Sequence, residues 1–228
     1  MANAEACDNR IYLLTSKIMY LLITNICFLV TISPLILYFF ISKENLSIPI
    51  LTFLGILIGP ALSTMLSVTG QLMNDKQEGA IRDYFHFYKL NFAQGIFVAA
   101  ILNVVLMIIY VDIQYFFSIN IPIISYICTA LVIFIAAINL YIYPLLSRIN
   151  AKTVDLFILS IQLVFKKFYI TLTNISLIII GITVVNFTSI SLIAILFGAS
   201  AICYLVLKME GTILIEAEAL LKEKYSNQ

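Results

Sequence analysis

Residues 168–207 read FYITLTNISLIIIGITVVNFTSISLIAILFGASAICYLVL, a run of forty residues without one charged side chain. A helix that crosses a bilayer needs about 20 predominantly apolar residues, because each residue adds about 1.5 Å to the helix and the hydrocarbon layer is about 30 Å thick. This run is therefore long enough for two crossings. Asn186-Phe187-Thr188-Ser189 interrupts the apolar pattern and predicts a turn, so we expect helices near 168–186 and 190–208.

Four more long uncharged runs lie upstream, and together with the first they decide the class of the protein. Apolar residues make up 62% of the 228 residues and charged residues 11%, against roughly 45–50% and 25% in an average soluble domain. Each crossing must be helical, since an open sheet edge would leave unpaired N–H and C=O groups in hydrocarbon. We therefore predict an all-α bundle of six transmembrane helices, in which residues 1–228 form a single integral membrane domain. The four upstream helices are expected near 18–41, 48–73, 93–117 and 121–147.

The basic residues predict how the chain is threaded. Lys and Arg concentrate in the cytoplasmic loops of membrane proteins, and the six predicted helices place twelve of the thirteen basic residues on one side, with only Lys43 on the other. Both termini should therefore be cytoplasmic, in a multi-pass protein of the cell membrane. The lipid bilayer is the partner that the composition implies, and the oligomeric state stays open. A net charge of +1 gives no reason to expect nucleic acid as a partner.

Two cytoplasmic segments are predicted to be amphipathic helices. In residues 75–91, Asp75 and Glu78 have the spacing of a helix start, and apolar side chains then recur three and four residues apart, which places them on one face. Residues 151–167 have a similar stripe. Each helix can rest on lipid or on its own bundle, and alternatively it can dock a partner protein. The residues expected to contact a partner are Ile81, Tyr84, Phe85 and Tyr88 in the first segment and Phe157 and Ile161 in the second.

Polar side chains inside the predicted helices are the best candidates for a functional site, because hydrocarbon penalises them. They are Asn25, Asn103, Asn139 and Asn174, with Asp112 as the one acid. Each asparagine either bonds to a neighbouring helix or lines a polar cavity that binds a substrate. Asp112 lies toward the outer end of its helix, where it can reach the interface. Beyond the last crossing, the tail should continue as a helix whose Glu210, Glu216, Glu218 and Glu223 face solvent.

Gly59 and Pro60 predict a kink in the second helix. Proline has no N–H to donate, and its ring collides with the carbonyl group four residues earlier. Small residues beside it allow another helix to approach closely. A kink of this kind predicts bending, and it points to a binding site only weakly.

Residues that usually carry catalysis or bind metals are scarce. His86 is the one histidine, and the four cysteines lie far apart in the chain. No phosphate loop and no metal-binding motif is present. We therefore expect a protein that is not an enzyme and that uses no cofactor or metal.

Four short motifs are distinctive: Gly59-Pro60-Ala61-Leu62-Ser63-Thr64-Met65, Asp83-Tyr84-Phe85, Lys89-Leu90-Asn91-Phe92 and Tyr143-Pro144-Leu145-Leu146. They resemble the YesL family of bacterial membrane proteins. Asn25 with Ser33-Pro34 is similar to the family's first helix, although a leucine usually stands between that serine and proline. The resemblance covers most of the chain up to about residue 180, and it includes no catalytic motif. It implies a six-helix protein found beside sugar-uptake ABC importers and glycoside-degrading enzymes.

Two functions follow as hypotheses. The first is a non-catalytic accessory or regulatory membrane subunit that associates with the permease subunits of a carbohydrate ABC importer, as the resemblance implies. The second is a self-contained transporter of small solutes, or a substrate-capture membrane subunit. The second hypothesis predicts that the four asparagines line one cavity.

Overall fold

A computed structural model gives an all-helical protein. It describes the backbone of residues 2–42, 46–149, 151–187 and 191–226, and the side chains of these residues except 2–11, 184–187, 191–195, 222 and 224–226. Lys43 and part of the predicted turn at 186–189 lie outside the described residues. The helices of the described part are α1 (Ala2–Thr31), α2 (Ser33–Ile41), α3 (Ile48–Gly55), α4 (Ile58–Met73), α5 (Ala80–Ser118), α6 (Pro122–Arg148), α7 (Thr153–Lys166), α8 (Phe168–Phe187) and α9 (Ser191–Ser226).

Prolines account for the two breaks in the first half of the chain. The first predicted crossing is divided at Ile32, two residues before Pro34, and the second at Ile56 and Leu57, just before Pro60. Pro60 cannot donate a hydrogen bond to the carbonyl group of Ile56, and the N–H group of Gly59 donates to that carbonyl oxygen instead, at 3.2 Å. The irregularity of this helix therefore begins one turn before the proline.

The third crossing and the first amphipathic segment form one continuous helix of 39 residues, α5. The predicted helix start at Asp75 is wrong, because α5 begins at Ala80. Asp75 has a φ of 52° and ends α4. The N–H groups of Asp75 and Lys76 donate to the carbonyl oxygens of Leu72 and Gln71 at 3.3 and 3.1 Å. This is the hydrogen-bond pattern of a Schellman motif, in which the residue after an α-helix adopts the left-handed conformation.

Among the residues that the structure describes, five helical spans are long and apolar enough to cross a membrane. They lie in α1, in α3 and α4 taken together, in α5, in α6 and in α9. A sixth crossing is reached if α7 and α8 count as one bent span, and these two helices meet at an angle of 95°. The prediction of six crossings therefore remains a prediction. Helix α9 continues to Ser226 without a break, as the sequence predicts for the tail.

Helix α4 is the centre of the bundle and packs against α1, α5, α6 and α9. Its buried face carries several hydroxyl groups, and most of them bond to carbonyl oxygens one turn earlier, such as Thr64 to Pro60 at 2.6 Å and Thr69 to Met65 at 2.7 Å. Ser67 also reaches α6, where its hydroxyl donates to the carbonyl oxygen of Ser147 at 3.0 Å. The buried hydroxyl groups of α4 are thus satisfied within the protein, which burial in an apolar medium requires.

Helices α4 and α5 cross at their closest point through two glycines. A Cβ atom added at Gly59 would lie 2.3 Å from the carbonyl oxygen of Gly95 and 2.6 Å from the Cβ atom of Ala99. A Cβ atom added at Gly95 would lie 2.8 Å from the Cα atom of Pro60. These distances leave no room for a methyl group, because the obstructing atoms include backbone that cannot swing away.

We predict that Gly95→Ala destabilises the protein by about 1–3 kcal/mol, since it forces the two helices apart. Gly70→Ala is the matched control on α4: no atom lies within 4 Å of the added methyl group, and its effect should be stabilising and no larger than about 1 kcal/mol. The measurement is SDS-induced unfolding of the purified protein in mixed micelles, followed by circular dichroism. Equal stability of the two variants would contradict the close crossing.

Candidate functional site

The four asparagines of the predicted crossings do not gather around one cavity. Asn25 of α1 accepts a hydrogen bond from the backbone N–H group of Ser200 on α9 at 3.2 Å. Asn139 donates to the carbonyl oxygen of Ile135 in its own helix at 2.9 Å, and Asn174 donates to Glu210 of α9 at 2.6 Å. Asn103 alone borders a large cavity. The expectation of a shared polar site is therefore wrong for three of the four residues.

A cavity of about 720 Å³ lies between α2, α3, α5 and α6. Its volume falls within the range of about 300–1,000 Å³ that small-molecule sites occupy. Apolar side chains make up most of the wall, and Thr52, Asn103, Tyr110 and Thr129 supply the polar groups. Asp112 does not line it, and this side chain is half-buried on α5 near the predicted outer end. The cavity suits a mainly apolar molecule that carries one or two hydrogen-bonding groups.

Asp83 forms a buried polar junction between α1 and the start of α5. Its carboxylate accepts hydrogen bonds from the hydroxyl group of Tyr20 at 2.7 Å and from the backbone N–H groups of Glu78 and Gly79 at 3.1 and 3.2 Å. An acceptor at the first turn of a helix satisfies N–H groups that have no partner within the helix. On the exposed side of the same turn, Lys17 of α1 pairs with Asp75 at 2.8 Å. The turn between α4 and α5 is thereby tied to α1.

A smaller cavity of about 230 Å³ opens beside this junction. It is lined by polar and charged side chains that include Lys76, Arg82 and His86. Arg82 pairs with Glu78 at 3.1 Å, and both side chains are well exposed. Among the residues that the structure describes, no three His, Cys, Asp or Glu side chains lie close enough together to hold a metal ion.

Glu210 is buried, whereas the sequence reading placed it among the solvent-facing acids of the tail. Its side chain is 0% exposed, and so is that of its partner Asn174 on α8. The oxygen atoms Oε2 of Glu210 and Oδ1 of Asn174 are buried without a hydrogen-bond partner. The sequence did contain the signal: Glu210 is in phase with the buried apolar residues of α9, which follow the three- and four-residue steps of one helix face. These residues are Leu207, Leu214, Ala217 and Leu221.

The first amphipathic segment does not present its aromatic residues on one free face. Tyr84 is fully buried, and its hydroxyl group lies 2.9 Å from the hydroxyl group of Thr31 on α1. Tyr84 therefore holds α1 against α5 and is not accessible to a partner. Tyr88 is half-buried, while Ile81 and Phe85 are exposed on the surface of the bundle.

The second amphipathic segment, α7, is apolar on two sides. Leu156, Leu159 and Leu163 are buried, on the helix face that packs against α6. Phe157 is half-buried against the core. The outward face is also apolar, and we call it the α7 outer stripe. It comprises Val154, Ile158, Ile161 and Phe165, which are 67%, 49%, 37% and 69% exposed.

A family model matches part of the chain. Residues 19–113 match the family model described as "Protein of unknown function, DUF624". The matched range runs from α1 into the second half of α5, so it includes the α4–α5 crossing, the Asp83 junction and Asn103, and it ends before Asn174 and Glu210. Comparisons with curated proteins and with solved structures gave no match.

We predict that Tyr20→Phe lowers the free energy of unfolding by about 1.5–3 kcal/mol, because it removes a hydrogen bond to a buried carboxylate. Tyr169→Phe is the control, since that tyrosine is 85% exposed, and it should leave the stability unchanged. Chemical unfolding of the two purified variants in one detergent gives the comparison. If Tyr20→Phe unfolded at the same denaturant concentration as the wild type, the junction would contribute nothing to the fold.

Proposed function

We propose that this protein is a non-catalytic accessory subunit that associates with the membrane permease of a carbohydrate ABC importer. Its resemblance to YesL-like proteins supports the link to carbohydrate import, and the match to the DUF624 family model over residues 19–113 is consistent with that resemblance. The observation that carries the docking role is the α7 outer stripe, a row of exposed apolar side chains on a helix that turns sharply away from α8.

The threading that this proposal requires has six crossings, with both termini in the cytoplasm and the protein in the cell membrane. Because α7 and α8 meet at 95°, α7 runs along the membrane surface when α8 crosses the bilayer. Lys166, at the end of α7, then faces the anionic inner leaflet, where a lysine contributes about 1 kcal/mol. The six-crossing arrangement also gathers twelve of the thirteen basic residues on the cytoplasmic side, which agrees with the charge bias of membrane proteins.

The α7 outer stripe is suited to a partner that is itself embedded in the membrane. In the six-crossing arrangement, its side chains would lie level with the cytoplasmic ends of a permease's helices. An exposed apolar helix face at the membrane surface can contact lipid or a partner, and in a protein interface a large buried aromatic side chain such as Phe165 would serve as an anchor. Ile81 and Phe85 of α5 extend the exposed apolar surface on the same predicted side of the membrane.

We predict that the double variant Ile158→Ser, Phe165→Ser loses co-purification with the importer in mild detergent. Removal of two interface anchors should weaken the association by about tenfold or more. The measurement is the amount of permease recovered with the tagged protein, quantified by mass spectrometry of the eluate.

The matched control is Ile123→Ser, Tyr126→Ser, which removes two large side chains near the start of α6 that are 71% and 66% exposed. It should retain the association. The proposal fails if the wild-type protein never co-purifies with an importer and if deletion of the protein leaves sugar uptake unchanged.

The cavity of about 720 Å³ favours a second candidate function, the capture or transport of a small solute. Its wall of apolar side chains around Asn103 would select a mainly apolar molecule. In this function Asn103 orients the solute through a hydrogen bond. Uptake by the purified protein in liposomes, without an importer, would favour this second function over the first.

A further inference from the structure

Asn174 of α8 and Glu210 of α9 meet inside the bundle with half of their hydrogen-bonding capacity unused. The Nδ2 group of Asn174 donates to Oε1 of Glu210 at 2.6 Å. The second oxygen of each side chain, Oδ1 of Asn174 and Oε2 of Glu210, is buried and has no donor. Both side chains are 0% exposed. The pair therefore contains two buried acceptor atoms, one on each side chain, that have no donor.

One proton supplies what the pair lacks. An ionised carboxylate only accepts hydrogen bonds, whereas a protonated carboxyl group has one O–H donor and keeps an acceptor oxygen. A buried acceptor without a donor costs about 1–3 kcal/mol, and a buried charge costs more. A proton on Oε2 removes the charge and provides a donor for the carboxamide oxygen at the same time.

We propose that the Asn174–Glu210 pair is a proton-binding site. Glu210 carries a proton on Oε2 and donates it to Oδ1 of Asn174, while Oε1 accepts from Nδ2. The acid and the amide thus exchange two hydrogen bonds. Uptake adds one proton from water to the carboxylate of Glu210, and release returns that proton to water and leaves the carboxylate ionised.

The charged and titratable groups around the pair influence whether the carboxyl group of Glu210 holds its proton. Arg148 and Tyr141 of α6 interact electrostatically with Glu210, and the positive charge of Arg148 favours the carboxylate. Arg148 also interacts with Glu218, so its charge is shared between two acids. Helices α1 and α4 also pack on α9, and in the described part of the chain neither supplies a charged group that interacts with Glu210.

The site lies where three helices are joined. Beside it, the hydroxyl groups of Tyr141 on α6 and Thr171 on α8 lie 2.9 Å apart. Nearer the start of α8, Lys167 pairs with Glu216 of α9 at 3.4 Å, and Lys167 is also the residue at which α7 bends into α8. Loss of the proton would leave an ionised carboxylate facing the carboxamide oxygen and weaken the contact between α8 and α9. The site thereby makes the contact between α8 and α9 sensitive to pH.

Infrared spectroscopy tests the protonation state directly. The wild-type protein at neutral pH should show the C=O stretching band of a protonated carboxyl group, and Glu210→Gln should lack it. Glu216→Gln is the matched control on the same helix, because the Glu216 side chain is 63% exposed, and it should keep the band. A wild-type spectrum without a protonated carboxyl band, or a band that survives in Glu210→Gln, would overturn the proposal.

Stability gives an independent test. A glutamine at position 210 can exchange two hydrogen bonds with Asn174 as the protonated acid does, and it needs no proton, so Glu210→Gln should be more stable than the wild type at neutral pH and match it only at acidic pH, where an unfolded glutamate is also protonated. Glu210→Ala leaves Asn174 unpaired and should raise the unfolding equilibrium constant by about tenfold or more. The unfolded wild type releases this proton at a lower pH than the folded protein does. As the pH rises, the stability of the wild type should therefore fall relative to that of Glu210→Gln.

Three results would contradict the proton as occupant. The first is Glu210→Gln being as unstable as Glu210→Ala. The second is a wild type whose stability is as independent of pH as that of Glu210→Gln. The third is stabilisation of the wild type, but not of Glu210→Gln, when sodium or potassium chloride replaces another salt at the same ionic strength. That result would show a metal cation bound between the two oxygens.

Discussion

Hydrocarbon offers no hydrogen-bond partner, and this constraint governs how the protein uses its polar side chains. In water, a serine or asparagine side chain that points away from its helix can bond to solvent. In the bilayer it must find a hydrogen-bond partner within the protein. Helix α4 shows the consequence most clearly, because its buried hydroxyl groups bond to carbonyl oxygens of the same helix and Ser67 also bonds to α6. These bonds allow a helix rich in serine and threonine to occupy the centre of the bundle, where its small side chains let four other helices approach.

The same constraint explains why the intramembrane asparagines form no common site. Asn25 and Asn174 each bond to α9 from a different helix, and Asn139 bonds within α6. Polar groups are thus used to fix α9 against α1 and α8, and Asn103 is the asparagine that remains beside a cavity. The Asn174–Glu210 contact differs from the others, because it fixes two helices and also leaves two acceptor oxygens without a donor. A structural contact and a proton site therefore coincide in one pair.

The sequence predicted the positions of the long helices well, because uncharged runs and prolines report directly on membrane crossing and helix breaks. It failed where a side chain's environment depends on tertiary contacts. By its spacing, Tyr84 belongs to an apparent surface stripe. In the structure it is fully buried, and its hydroxyl group is hydrogen-bonded to that of Thr31 on α1. Asp75 has the spacing of a helix start, yet it ends α4 in a left-handed conformation. The charge of Glu210 predicts a solvent-facing side chain, yet it is buried, in phase with the buried apolar residues of α9.

The central claim is that the chain crosses the membrane an even number of times, with its basic residues on the cytoplasmic side. Its most direct test is the labelling of single cysteines, in a variant without the four native cysteines, by a thiol reagent that does not cross membranes. Cysteines at Leu46 and Asn120 should react in intact cells. Cysteines at Asp75, Lys152 and Glu223 should react only after the cells are permeabilised. Labelling of the cysteine at Glu223 in intact cells would place the C-terminal helix outside and contradict the six-crossing arrangement.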